Sequence, residues 1–280
     1  MDTVVHYFET IPSLHRTLIL VGGLTFFWLL ESFIPLFSFS YKKWKHASLN
    51  IFFTFTTIVV NFVLAFLVVW ACDFTTEHKF GLLHWLPLDG WFFLIFGLLF
   101  LDLIGAYFIH WLEHKVKWMW QFHIIHHSDK EIDTTSANRH HPGESIFRLA
   151  FTILAVLLIG APIWLVFLYQ TMSVVLTQFN HANIKMAPWL DRTLQWVFVT
   201  PDMHRVHHHY RMPYTDSNYG NIFSFWDRIF GTFMSAPNEK LIYGVDTMMD
   251  SVKTDSIMEL LKKPFTKYIP SPQYPEEEKL

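Results

Sequence analysis

His110-Trp-Leu-Glu-His114 sets two imidazoles four residues apart, and His123-Ile-Ile-His126-His127 and His204-Arg-Val-His207-His208 each repeat an i, i+3, i+4 spacing. On a helix, residues one turn apart share a face. The pair and each triplet are therefore expected to aim their rings at roughly one point. Two, three and three make eight of the chain's 17 histidines. A zinc ion takes four protein ligands in a closed site, or three plus water in a catalytic one, so eight suit two metal ions. Imidazole serves iron, copper, nickel and zinc alike, and ligand type alone does not choose among them. His181, in Gln178-Phe-Asn-His-Ala-Asn183, is a candidate ninth ligand, and His140 and His141 are weaker ones. His209 follows a complete set and would point elsewhere on a helix, into a supporting position or solvent. His6, His15, His46, His78 and His84 lie in polar flanks and read as surface or interface residues. The single cysteine, Cys72, can make neither an intrachain disulfide nor a Cys-rich metal site.

The elements that must position these rings are apolar. Of 280 residues, 52% are hydrophobic, 18% aromatic and only 16% charged, which excludes an ordinary soluble domain and a disordered chain. A net charge of −3 gives no basic field to hold nucleic acid. Leu18 to Phe37 is apolar but for Glu31, Leu49 to Ala71 carries no charge, and Gly90 to Ile109 carries only Asp102. Each is long enough to span a bilayer. Leu149 to Gln178 is too long for one comfortable span, and Gly160-Ala161-Pro162 near its middle predicts a kink or a re-entrant hairpin. The hairpin would return the later histidines to the side where His110 and His114 emerge. Lys42, Lys43 and Lys45 mark the first loop as cytoplasmic, and Asp73, Glu77 and Asp89 mark the next as not, which puts the histidine cluster on the cytoplasmic side. Asp2 and Glu9 in place of a basic start argue for an uncleaved anchor, in a bacterial inner membrane or the endoplasmic reticulum. The expected fold is an all-α integral membrane protein of about four membrane helices, the last a kinked or re-entrant hairpin, with a cytosolic helical cap carrying the histidines. Residues 1–90 form the anchor region with two spans, 91–233 the domain that carries all three histidine groups, and 234–280 an amphipathic segment with a frayed polar tail from Pro264.

These residues resemble the sterol desaturase and fatty acid hydroxylase superfamily of integral-membrane, histidine-rich di-iron oxygenases. The resemblance covers Trp91 to Phe233 and rests on HWLEH at 110–114, WQFHIIHHSD at 120–129, RHHPGE at 139–144, NHANI at 180–184, PDMHRVHHH at 201–209 and NYGNIFSFWDRIFGTF at 218–233. It implies two iron ions held by His110, His114, His123, His126, His127, His204, His207 and His208, with His181 at a further histidine position seen in relatives. Thr177 stands where some relatives carry an additional histidine, and His141 matches an element read as structural. Dioxygen would be the co-substrate, and the substrate a C–H bond of a lipid such as a sterol, fatty acyl chain, carotenoid or ether lipid, hydroxylated or desaturated. No Gly-x-Gly-x-x-Gly fingerprint or Cys-ligated cluster is present, so electrons must come from an external donor, either a protein or a pterin.

The competing reading is a membrane zinc hydrolase using the same histidines, with Glu113 in an HxxEH arrangement, but eight or nine histidines exceed what that chemistry uses. A non-enzymatic haem or metal-transport protein would place its ligands within the spans. Asp102, eight residues before His110, could accept an imidazole N–H or make a helix-packing hydrogen bond. Asp129, Asp202 and Asp227 could orient ligands or cap helices.

Overall fold

The computed structural model describes residues 1–38 and 40–274, and among them the chain is helical, with isolated β-bridges and no extended strand. The elements that matter for the site are α1 (Asp2–Glu9), α2 (Ser13–Phe33), α3 (Lys43–Glu77), α4 (Gly90–Lys115), α5 (Lys117–His127), α6 (Pro142–Ile159), α7 (Ile163–His181), α8 (Pro201–His207) and α9 (Ile257–Lys262). Four segments are long and apolar enough to cross a membrane: α2, the stretch beginning with α3, α4 and α6. Phe62 and Phe66 on α3 are largely exposed, as residues meeting lipid chains would be. The chain is an all-α integral membrane protein.

Element boundaries depart from the apolar runs for local reasons. α2 starts at Ser13 and stops at Phe33, because Pro35 lacks an N–H and disfavours helical backbone at Ile34, whose φ is −132°. α3 runs 35 residues, about 52 Å at about 1.5 Å per residue, well beyond a hydrocarbon core of about 30 Å. Its first turns carry His46 and Asn50, which bond to the histidine-bearing cap. The expected hairpin is present. α6 ends in a left-handed Gly160 at φ +78°, and α7 begins after Pro162. Val68, Leu98, Leu101, Val156, Ile159, Leu165 and Val166 close the core between α3, α4, α6 and α7.

Two buried carboxylates explain the charges inside the apolar runs. Asp102 accepts the backbone N–H groups of Ile222 (3.3 Å) and Phe223 (3.2 Å) and the indole N–H of Trp226 (3.1 Å), so it packs the 222–226 loop onto α4 and touches no imidazole. Glu31 accepts the N–H of Thr134 (2.7 Å) and of Asn183 (2.9 Å), which ties α2 to both sides of the cap. Within the segment expected as a polar tail, Pro264, Ser271 and Tyr274 are bonded to the rest of the molecule, while residues 265–267 and 269–273 are exposed. Gln121 donates to the carbonyl of Pro264, and Ser271 and Tyr274 donate to Asp246. The Glu276-Glu277-Glu278 run lies outside the described residues.

Candidate metal centre

All nine candidate histidines come together where α4, α5, α7 and α8 meet, in two adjoining groups. His110, His114, His123, His127 and His207 form the first, and His126, His181, His204 and His208 the second; within each, one ligand atom per residue lies within 4.8 Å of all the others. The groups touch, with the His127 and His208 ring centroids 4.8 Å apart. The triplets do not converge as expected: His126 leaves its neighbours for the second group, and His207 leaves its neighbours for the first. At about 100° per residue, position i+4 lies about 40° around the helix from i, whereas i+3 lies about 60° to the other side. The i, i+4 pairs His110 and His114, His123 and His127, and His204 and His208 stay together, while each i+3 ring reaches across.

Four rings are locked by acceptors behind them. The Nδ1–H of His110 donates to the Tyr219 carbonyl (2.9 Å), that of His207 to the Ser217 carbonyl (2.6 Å), that of His123 to Glu144 Oε1 (2.8 Å), and that of His181 to Asn180 Oδ1 (2.7 Å) and the Thr177 carbonyl (2.9 Å). With the proton on Nδ1, a neutral imidazole presents a lone pair at Nε2. His110 Nε2 and His123 Nε2 face each other at 3.1 Å; His181 Nε2 lies 3.1 Å from His204 Nε2 and 3.3 Å from those of His126 and His208. Nε2 of His114 and His207 and both nitrogens of His127 are buried without a protein partner. Burial holds His126, His127, His204, His207 and His208 well below the usual histidine pKa, with neighbouring imidazoles adding to the effect, and it outweighs Glu144 to push His123 down to about 4. Neutral lone pairs converging in a protein interior lack an electron-pair acceptor, and each unmet buried group costs about 1–3 kcal/mol. Metal ions are the group this donor set fits. Five imidazoles on one side exceed the four ligands of a tetrahedral zinc.

Supporting residues were only partly legible beforehand. Glu144, within the quoted RHHPGE string, accepts from His123, from His140 (2.8 Å) and from Arg148 (3.0 Å), so His140 stands behind the first group. Glu113 is held by Arg148 at 2.6 Å, on the Nδ1 side of His123 and away from the converging Nε2 atoms. His141 caps α6, accepting from the N–H of Gly143. Buried Arg139 bonds to the Ile125 carbonyl, Asn50, Ser128 and the Thr254 carbonyl, and buried Arg205 joins α8 to the carbonyls of Ala182 and Ile184. His46, expected at the surface or an interface, lies at an interface with the cap, 2.8 Å from Asp129; burial alone would raise that carboxyl, but His46 and Arg139 outweigh it and hold it below the usual carboxylate range. His209 is also buried, its Nδ1 accepting from the N–H of Ile242. Asp202 pairs with Arg205, and Asp227 accepts the N–H groups of Tyr219 and Gly220; neither meets a ring of the two groups.

The fold and this centre define a class: membrane-embedded helical proteins with a polyhistidine centre beside the ends of their spans. Residues 94–232 match the fatty acid hydroxylase family, and the chain belongs to the sterol desaturase and fatty acid hydroxylase superfamily. It is 30% identical over 159 residues to an ornithine lipid hydroxylase of Rhizobium tropici, covering 55% of this chain and 46% of that protein. It is 32% identical over 142 residues to an alkylglycerol monooxygenase of Xenopus tropicalis, covering 50% of this chain and 30% of that one. A very-long-chain aldehyde decarbonylase of Oryza sativa is 26% identical over 189 residues, with 66% of this chain and 70% of the relative aligned. The match thus spans less than half the length of the first two relatives. No solved structure matches the chain.

Proposed function

We propose that the chain is a membrane-bound, O2-dependent oxygenase that oxidises a C–H bond of a lipid. In this reading His110, His114, His123, His127 and His207 hold one iron ion, and His126, His181, His204 and His208 hold a second. The observation that carries it is the convergence of nine imidazoles, eight of them buried and His114 half-buried, as two sets of facing nitrogens. Bound iron would supply the activation of dioxygen and the removal of hydrogen from an unactivated C–H bond. The chain's own residues orient the ligands through the Tyr219, Ser217 and Thr177 carbonyls, Glu144 and Asn180, and bury the centre against water. Residues 91–233 act as the catalytic domain on the cytoplasmic side, electrons come from an external donor, and the substrate is a sterol, fatty acyl, carotenoid or ether lipid. The zinc hydrolase reading is disfavoured because Glu113, its general base, is tied to Arg148 on the side of His123 remote from the facing nitrogens.

Elemental analysis of detergent-purified protein from iron-replete cells tests the reading. About two irons per chain are expected. His126→Ala and His207→Ala, which remove ligands from different groups, should each lose about one and abolish turnover while the protein still inserts. One zinc per chain, or full iron content in both variants, would overturn it.

A further inference from the structure

Of the nine histidines, only His114 is half-buried, the others being buried, and it lines a cavity of about 630 Å³. Lys115, the last residue of a membrane-spanning helix, lines the cavity, and Tyr268 and residues 270–274 form another part of its wall. Trp120 forms the wall shared with the metal centre, its ring 4.9 Å from that of His114 and 5.3 Å from that of His127. The remaining wall is mixed. Thr215, Ser271, Gln273 and the Lys115–Asp216 ion pair offer hydrogen bonds, and Met212 and Tyr268 offer apolar surface.

The approach to the cavity is apolar. The segment leading into its wall runs along α5, with the Pro264 carbonyl held by Gln121 and the Tyr268 ring under Lys117. On this segment Phe265 and Ile269 are 77% and 54% exposed, and Trp118 of α5 is 55% exposed. Large apolar side chains beside the end of a spanning helix, interleaved with Lys117 and Lys267, have the composition of a surface lying at the membrane–water boundary. A cavity of this size holds a drug-sized fragment, which for a lipid means a headgroup and its first few carbons.

We propose that this cavity receives the headgroup end of a membrane lipid, admitted past Phe265 and Ile269, so that carbons close to the headgroup come nearest His114 and Trp120. The assignment to the reacting lipid rests on the oxygenase reading, and it places oxidation near the headgroup and away from the chain terminus. Arg211, which also lines the cavity, is not needed for it.

The test uses the full chain in phosphatidylcholine nanodiscs, with Gln273→Cys labelled by a fluorescent bimane. Native Cys72 is buried. Phosphatidylcholine bearing a nitroxide near its headgroup should quench the label, and the same lipid with its nitroxide at the chain terminus should not. Filling the chamber by Thr215→Trp should abolish the quenching. Ser271→Trp fills it from the C-terminal segment, away from every histidine-bearing helix, and should do the same if Thr215→Trp does not fold. Equal quenching by both lipids, or quenching that survives a folded chamber-filling variant, would overturn the proposal. The readout requires neither metal nor turnover, so its failure falls on the chamber and leaves the oxygenase reading standing.

Discussion

A histidine at this centre is defined as much by what stands behind its ring as by what it faces. The carbonyls of Tyr219 and Ser217 accept only, so each fixes the proton on Nδ1 of its histidine and turns a bare Nε2 inward. This has a consequence for the metal-free protein. Burial holds His126, His127, His204, His207 and His208 well below the ordinary imidazole value and pushes His123 down to about 4. Between about pH 4 and the unfolded value of about 6.5, the unfolded chain binds more protons than the folded one, so stability rises with pH. Acidification through that window should therefore unfold the chelator-treated protein, each such histidine contributing up to about 1.4 kcal/mol per pH unit. Thermal unfolding in detergent from pH 7.5 to 5 should show a falling Tm, and a flat profile would mean that these rings are not buried neutral.

Helices decide which ring joins which group. Because α5 and α8 each send their i, i+4 pair to one side and their i+3 ring to the other, both helices contribute to both groups and bind them into one unit. The turn between α6 and α7 delivers His181 to the same place. Gly160 is needed there twice over, once for its left-handed backbone and once for space, since a Cβ would lie 2.4 Å from the Phe80 carbonyl and 2.8 Å from the His84 ring. Gly160→Ala should cost about 1–3 kcal/mol from backbone strain alone. A thermal-shift assay would register this as a lower Tm, and an unchanged Tm would show that the turn tolerates another conformation. The hairpin was legible because Gly-Ala-Pro interrupts an apolar run too long for one span. The ends of α2 and α3 were not, because polar first turns such as Lys43 to Asn50 are stabilised by contacts with the cap that no local pattern encodes.

At the scale of the whole molecule, the proposed orientation rests on charge. With the Lys42–Lys45 loop cytoplasmic, a cysteine replacing Lys45 should be labelled by a membrane-impermeant maleimide only in inverted vesicles, and one replacing Asp89 only in intact cells or right-side-out vesicles. The reverse pattern would place the histidine cluster on the other side. Composition and spacing by themselves determined the membrane class, the hairpin and the nine histidines that meet, because span length, a Gly-Pro break and residue type are local properties. They also exposed Asp102 as a charge needing a buried reason, and showed Glu31 only as a break in an apolar run. Only the tertiary structure decided that their partners are backbone N–H groups from residues more than 100 positions away, that the histidines divide five and four, and that His114 lines a cavity. Those outcomes depend on which helix faces lie opposite one another, and a one-dimensional pattern carries the phase of each helix but not the rotation of one helix against the next.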